Sequence, residues 1–264
     1  MENFDKVSVI TGGAKGIGEG CARVFCEAGA RVVICDVDTQ AGTRLASELT
    51  ASGPGTCHFE QADVCKAEEV KLVIDKAIDL HGRLDCLINN AGWHPPHKPI
   101  DDFSLDDFRN LIELNVIAVF AGCKFALPHL RKTRGSIVNI SSLVAELGQE
   151  FATTYCATKG AVSAFTKALA IDEARHGVRI NAVLPGNVMS HMRVSGVAAS
   201  KSPQKLHEWL EHIQWLGRSA TIEEAGRACL FLAGDAASFI TGIDLILSGG
   251  AELGYGPKVP YEYD

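Results

Sequence analysis

Positive charge is in short supply in this chain. Its 25 Lys and Arg residues stand against 32 Asp and Glu, a formal charge of -7. That balance argues against a nucleic-acid partner, which requires a basic face. No apolar run in the sequence reaches the length needed to span a bilayer, so no membrane is expected. The opening Met-Glu-Asn-Phe-Asp-Lys has neither a long apolar region nor an Arg-rich amphipathic pattern. The closing Tyr-Glu-Tyr-Asp carries no lipidation or peroxisomal signal. Nine cysteines, at 21, 26, 35, 57, 65, 86, 123, 156 and 229, lack the paired spacing of a metal site, and no secretory leader precedes them. They read as reduced core residues of a cytosolic protein, with no metal expected. Linkers and low-complexity stretches are also absent. Residues 1–264, with 47 % hydrophobic content, read as one large α/β domain.

What is present begins with alternation. Strand-like apolar runs fall at 7–11, 31–35, 57–62, 84–88, 136–140, 178–184 and 243–247. Helical patterns separate them at 16–28, 39–50, 66–80, 105–131, 152–175, 204–214 and 221–233. Strands and helices in turn predict a Rossmann-type, doubly wound parallel sheet with helices on both faces, a three-layer α/β/α fold. Ligands in that architecture bind beyond the carboxyl ends of the strands. Thr11, Asp36, Asp63, Asn90, Ser142 and Pro185 all fall at predicted strand ends.

The first strand runs straight into Gly12-Gly13-Ala14-Lys15-Gly16-Ile17-Gly18 and then into a helix. Gly12, Gly16 and Gly18 let backbone approach a pyrophosphate, and the N–H groups of Ile17 and its neighbours open the helix toward it. Asp36 follows Gly12 by twenty-four residues. A carboxylate there accepts hydrogen bonds from both ribose hydroxyls and repels a 2′-phosphate, which selects NAD over NADP. Lys15 is the opposing signal, a cation able to meet that phosphate. The expectation is that direct repulsion at the ribose outweighs a lysine that can swing into solvent.

Tyr155 and Lys159 lie four residues apart on a predicted helix, so they share a face, and Ser142 stands thirteen residues upstream of the tyrosine. A phenol ordinarily titrates near 10, and bringing it to about 7 takes roughly 4 kcal/mol of differential stabilisation. A neighbouring ammonium works in that direction, and a buried lysine together with a positively charged nicotinamide ring is expected to supply that amount. Tyr155 is therefore a candidate general base for an alcohol, and acid for a ketone. Lys159 is the candidate group lowering its pKa. Ser142 is the candidate partner of the substrate oxygen; Ser141 is set aside because strand alternation turns it away.

TGGAKGIG, Asn89-Asn90-Ala91-Gly92, Asn115, Ser142, Tyr155, Lys159 and Pro185-Gly186 occur in the order and spacing of the short-chain dehydrogenase/reductases. The chain resembles that family from about residue 5 to 256. RVVICD at 31–36 and GGAELGYG at 249–256 carry a narrower resemblance, to family members that oxidise 17β-hydroxysteroids or L-fucose. The resemblance implies further roles. Lys159 also holds the nicotinamide ribose, and Asn115 binds a relay water. Asp63 and Val64 flank the adenine, while Asn90, with Ala91 and Gly92, packs the middle of the cofactor. Val188 and Ser190, beyond Pro185 and Gly186, meet the carboxamide. His94 and Gln149 match polar substrate-pocket positions beside Ser142 and Tyr155.

The implied partner is a small alcohol or ketone, a steroid such as oestradiol or a sugar, under a lid at about 189–215. The implied assembly is a homotetramer through helices 105–131 and 152–175 and the last strand. The tail at 257–264 either covers a partner's pocket or is loose. Two alternatives stay open: an NADPH-dependent carbonyl reductase, which Asp36 disfavours, and a non-catalytic NAD sensor, which predicts loss of one of Ser142, Tyr155 or Lys159.

Overall fold

The computed structural model describes residues 4–254; the tail at 257–264 lies outside the described residues. Seven parallel strands form one sheet in the order β3-β2-β1-β4-β5-β6-β7. They are β1 (Val7–Thr11), β2 (Arg31–Asp36), β3 (Thr56–Gln61), β4 (Cys86–Asn89), β5 (Ser136–Ile140), β6 (Arg179–Pro185) and β7 (Asp244–Leu247). The order reverses between β1 and β4, so their carboxyl ends open a crevice where the chain leaves in opposite directions. β1 is buried at every position. Its Val7 and Val9 pack on one face with Val33, Leu87 and Ile137. Its Ile10 packs on the other with Ile34, Ile88 and Val138. Covering both faces explains why the strands read as continuous apolar runs.

One face carries α1 (Gly16–Glu27), α2 (Thr39–Ser52) and α9 (Ile222–Ala233). The other carries α3 (Ala67–His81), α5 (Ala118–Thr133) and α6 (Thr153–Glu173), with α4 (Leu105–Ile112) leading into α5. Helix α3 ends as its sequence indicates, on Gly82 in the left-handed region at φ 72°.

Three expectations need correction. The single helix predicted at 105–131 is α4 and α5 joined through a π-turn at Glu113–Ile117. The extra residue of that turn carries the fully buried Asn115 into the interior. The whole span Leu105–Thr133 is, by length and composition, apolar enough to cross a membrane, contrary to the reading of the sequence. Half of its apolar window is buried in the fold, and Ala118, Val119, Cys123, Ala126 and Leu130 pack with the sheet as a core layer. The lid holds two helices rather than one, α7 (His191–Ala198) and α8 (Pro203–His212). α7 escapes a periodicity reading because its eight residues include Gly196 and bury none of their number; its signal is the Ser190 cap.

α1 and α9 touch through glycine. A Cβ on Gly20 would sit 2.1 Å from the Ile222 carbonyl oxygen, and one on Gly226 would sit 2.5 Å from that of Gly20. Backbone cannot yield as a flexible side chain does. Gly20→Ala is expected to lower stability by about 2 kcal/mol and the melting temperature by roughly 5 °C. An unchanged thermal melt would show that the two helices separate freely.

Candidate active site

The glycine turn is built for close approach. Gly12 and Gly16 lie at φ 61° and 60°, where side chains are strained. A Cβ on Gly18 would fall 2.1 Å from the Gly12 carbonyl oxygen. Lys15 is the N-cap of α1 but its side chain caps nothing, leaving the first N–H groups of the helix free for an anion. Asn90 locks the turn to the end of β4: its Nδ2 donates to the carbonyls of Thr11 and Gly12, both at 2.9 Å. Thr11 Oγ1 accepts from the N–H groups of Asn90 at 3.0 Å and Ala91 at 3.1 Å. The residues present fit the dinucleotide that the sequence implies.

Asp36 ends β2 in the crevice. Its carboxylate accepts from the N–H of Ala14 at 3.2 Å and of Asp38 at 3.0 Å, keeping other lone pairs for ribose hydroxyls. Lys15, still partly exposed, is paired rather than loose in solvent. Its ammonium lies 2.5 Å from Asp38, and that contact, ahead of the Ala41 N–H, holds the Asp38 carboxyl below its usual range. Asp63 accepts from the Cys65 N–H at 3.0 Å beside the buried Val64. Gly186 donates to the Leu247 carbonyl, and Val188 bridges to Ala220. Ser190 caps α7 by accepting from the Arg193 N–H. A Cβ on Gly16 would meet Ser190 at 3.4 Å, so the start of the lid rests on the glycine turn.

Ser142, Tyr155 and Lys159 come together. The Ser142 side chain acts on the Tyr155 hydroxyl in the direction that favours the phenolate. Burial opposes and outweighs it, pushing Tyr155 up to about 12. Lys159 is 4 % exposed. Its Nζ donates to the Ile140 carbonyl at 2.8 Å and stands 5.8 Å from the centre of the Tyr155 ring. Burial brings its pKa down to about 8. The expected lowering of the phenol by Lys159 is thus not produced by the protein groups alone, because the ammonium is directed at a backbone carbonyl and is itself desolvated. Ser141 points away from the cleft, donating to the Lys159 carbonyl at 2.9 Å.

Asn115 accepts from the Trp93 N–H at 2.9 Å. It donates to the Trp93 carbonyl at 3.0 Å and to Thr158 Oγ1 at 3.1 Å. A Cβ on Gly92 would meet Asn115 at 3.1 Å and Lys159 Nζ at 3.5 Å, so all three share one wall.

On the substrate side, the His94 ring lies 4.2 Å from that of Tyr155, centre to centre. Its Nε2 is 3.1 Å from Gln149 Oε1. His97, which the sequence reading passed over, stacks 5.0 Å from His94, with Nε2 3.5 Å from Gln149 Nε2. Burial first, then His94, lowers its pKa. The run His-Pro-Pro-His held that signal. Asp38 was also missed, although an Asp two residues after Asp36 and before Thr-Gln-Ala is a readable N-cap.

Known proteins resemble the whole assembly. The family model described as enoyl-(acyl carrier protein) reductase matches residues 12–252. L-fucose dehydrogenase of Bos taurus is 46% identical over 96% of this chain and 92% of its own. That of Oryctolagus cuniculus is 45% identical over 96% and 87%. Meso-2,3-butanediol dehydrogenase of Serratia marcescens is 38% identical over 98% and 100%. The crystal structure of Cj0485 dehydrogenase superposes with a TM-score of 0.86 at 30% identity, covering 94% of this chain and 95% of that one. With the glycine turn, the Asn90 lock and the Ser142, Tyr155 and Lys159 cluster in one crevice, the chain is an oxidoreductase and belongs to the short-chain dehydrogenase/reductase family.

Proposed function

We propose that this protein is an NAD-dependent dehydrogenase that oxidises a polyol, with a sugar such as L-fucose as substrate, taking a hemiacetal to a lactone or a secondary alcohol to a ketone. The polar arc of His94, Gln149 and His97 beside Tyr155 carries this reading. Several ring nitrogens and an amide within one cleft suit a molecule with many hydroxyls. The L-fucose dehydrogenases at 45–46% identity support it. Oxidation of a steroid such as oestradiol is the second reading, favoured by Met192 and Trp209, which are 44% and 58% exposed on the lid helices.

In this mechanism Ser142 hydrogen-bonds the substrate oxygen and Tyr155 takes its proton. Bound NAD would supply a hydride acceptor for the carbinol carbon and a positive charge acting on the phenol. Lys159 holds the ribose, and Asn115 fixes the wall behind it and binds the relay water. Asp36 selects NAD. The exposed Ile117 at the end of the π-turn, Phe120 on α5 and Ile171 on α6 support assembly as a homotetramer through these helices. The free cysteines suit a reducing compartment such as the cytosol.

Tyr155→Phe is expected to abolish turnover while NAD still binds, checked by steady-state rates and by titration of NAD against the purified variant; near-normal rates would remove the tyrosine from the chemistry. His94→Ala and Gln149→Ala are each expected to raise KM for L-fucose by about tenfold, the loss of one buried hydrogen bond. If KM for oestradiol rises instead and that for L-fucose does not, the steroid reading replaces the sugar one.

Lys159 also has a consequence for stability. Its pKa is near 8 in the fold, against 10.5 for an ordinary lysine in water. The unfolded chain therefore holds more protons between these values, and stability rises with pH across that window. Burial of the ammonium costs about 3 kcal/mol below pH 8. Lys159→Met escapes that cost. Its gain over the parent is expected to be greatest at pH 7 and to shrink toward pH 10.5 in urea unfolding; a gap independent of pH contradicts the assignment.

A further inference from the structure

The end of β2 carries a second carboxylate that neither the reading of the sequence nor the proposed mechanism uses. Asp38 Oδ2 is 2.5 Å from Lys15 Nζ, and Asp38 Oδ1 accepts from the Ala41 N–H at 2.9 Å as the N-cap of α2. The pair sits at the ribose edge of the crevice. Asp36 accepts from the N–H of Ala14, the residue immediately before Lys15, so the Lys15 side chain rises beside the carboxylate that faces the ribose. A lysine in that place is the one cation of the glycine turn available to a 2′-phosphate. Here it is already engaged, with side chains that remain 41% and 36% exposed.

We propose that Asp38 is a cofactor-specificity residue, acting by occupying Lys15 so that the turn offers no cation to a 2′-phosphate. This rests on the reading of the enzyme as NAD-dependent and adds a second device to it. Asp36 repels the phosphate directly; Asp38 removes its would-be partner. With both carboxylates in place the three side chains carry two negative charges and one positive. A 2′-phosphate, itself about doubly negative, then meets a net negative edge. Neutralising Asp38 leaves one charge of each sign and sets the ammonium free. Arg44, on the first turns of α2, also acts on Asp38 electrostatically and is the other cation to which the phosphate can turn.

The test is binding of two probes that need no turnover, 5′-AMP and adenosine 2′,5′-bisphosphate (2′,5′-ADP), which differ only by the 2′-phosphate. Asp38→Asn is the chosen change because asparagine caps a helix as well as aspartate does, so α2 keeps its start while the charge goes. The parent is expected to bind 5′-AMP more tightly than 2′,5′-ADP. In Asp38→Asn the affinity for 2′,5′-ADP relative to 5′-AMP should rise by about fivefold, the scale of a partly exposed ion pair. In the double variant Lys15→Ala with Asp38→Asn the ratio should fall back to the parent value. A ratio unchanged in Asp38→Asn overturns the proposal and leaves the NAD reading standing. A gain that survives removal of Lys15 also overturns it, since Arg44 or loss of repulsion is then the cause. A parent that prefers 2′,5′-ADP takes down both.

Discussion

A lysine side chain that is almost wholly enclosed has to give its ammonium hydrogens to something, and here the recipient is the Ile140 carbonyl where β5 ends. That bond joins the middle of α6 to the carboxyl edge of the sheet. Much of the cleft follows from it. Tyr155 lies one helical turn before Lys159 and Ser142 two residues beyond Ile140, so one contact between helix and strand brings the three candidate side chains together. Ser141, between them, ties the Lys159 carbonyl to the same strand end and is in turn held by Ser163 at 3.1 Å. The cost of dehydrating the charge is the price of this geometry. It is met by a fold whose sheet and helices are packed on both faces around it.

The same enclosure explains why the protein groups alone do not deliver a reactive phenol. Burial raises Tyr155 and lowers Lys159, so each group is pushed toward its neutral form. The Ser142 contact opposes this only in part. A positively charged ring beside the phenol changes that balance in the direction catalysis needs. On the proposed mechanism, a phenol in so dry a site would stay protonated until the coenzyme is bound.

Most of the architecture was legible because it rests on short-range rules. All seven strands appear within two residues of their expected limits, since fully covered strands read as apolar runs. Gly82 and the turn at Gly12 to Gly18 were readable because a left-handed backbone or a close approach leaves few residue choices. What was not legible depends on contacts between distant segments. The π-turn at Glu113–Ile117 has no residue signature of its own. His97 gains meaning only when Gln149, more than fifty residues later, folds over it. Lys15 looked free because its partner, Asp38, lies across the turn rather than beside it. The direction in which Lys159 points was likewise set by Ile140, a backbone atom that no pattern of side chains announces.

The π-turn constrains how this chain can change in length. One surplus residue in a helix rotates everything after it by about 100° relative to an unbroken one. α4 and α5 therefore lie end to end but out of phase, Leu111 turning inward before the step and Ala118 and Val119 after it. Losing a single residue between 113 and 117 would restore regular bonding and, by the same rotation, turn either Asn115 or the whole inner face of α5 away from the sheet. Substitution at the exposed Glu113 or Ile117 leaves that phase intact; deletion of either does not.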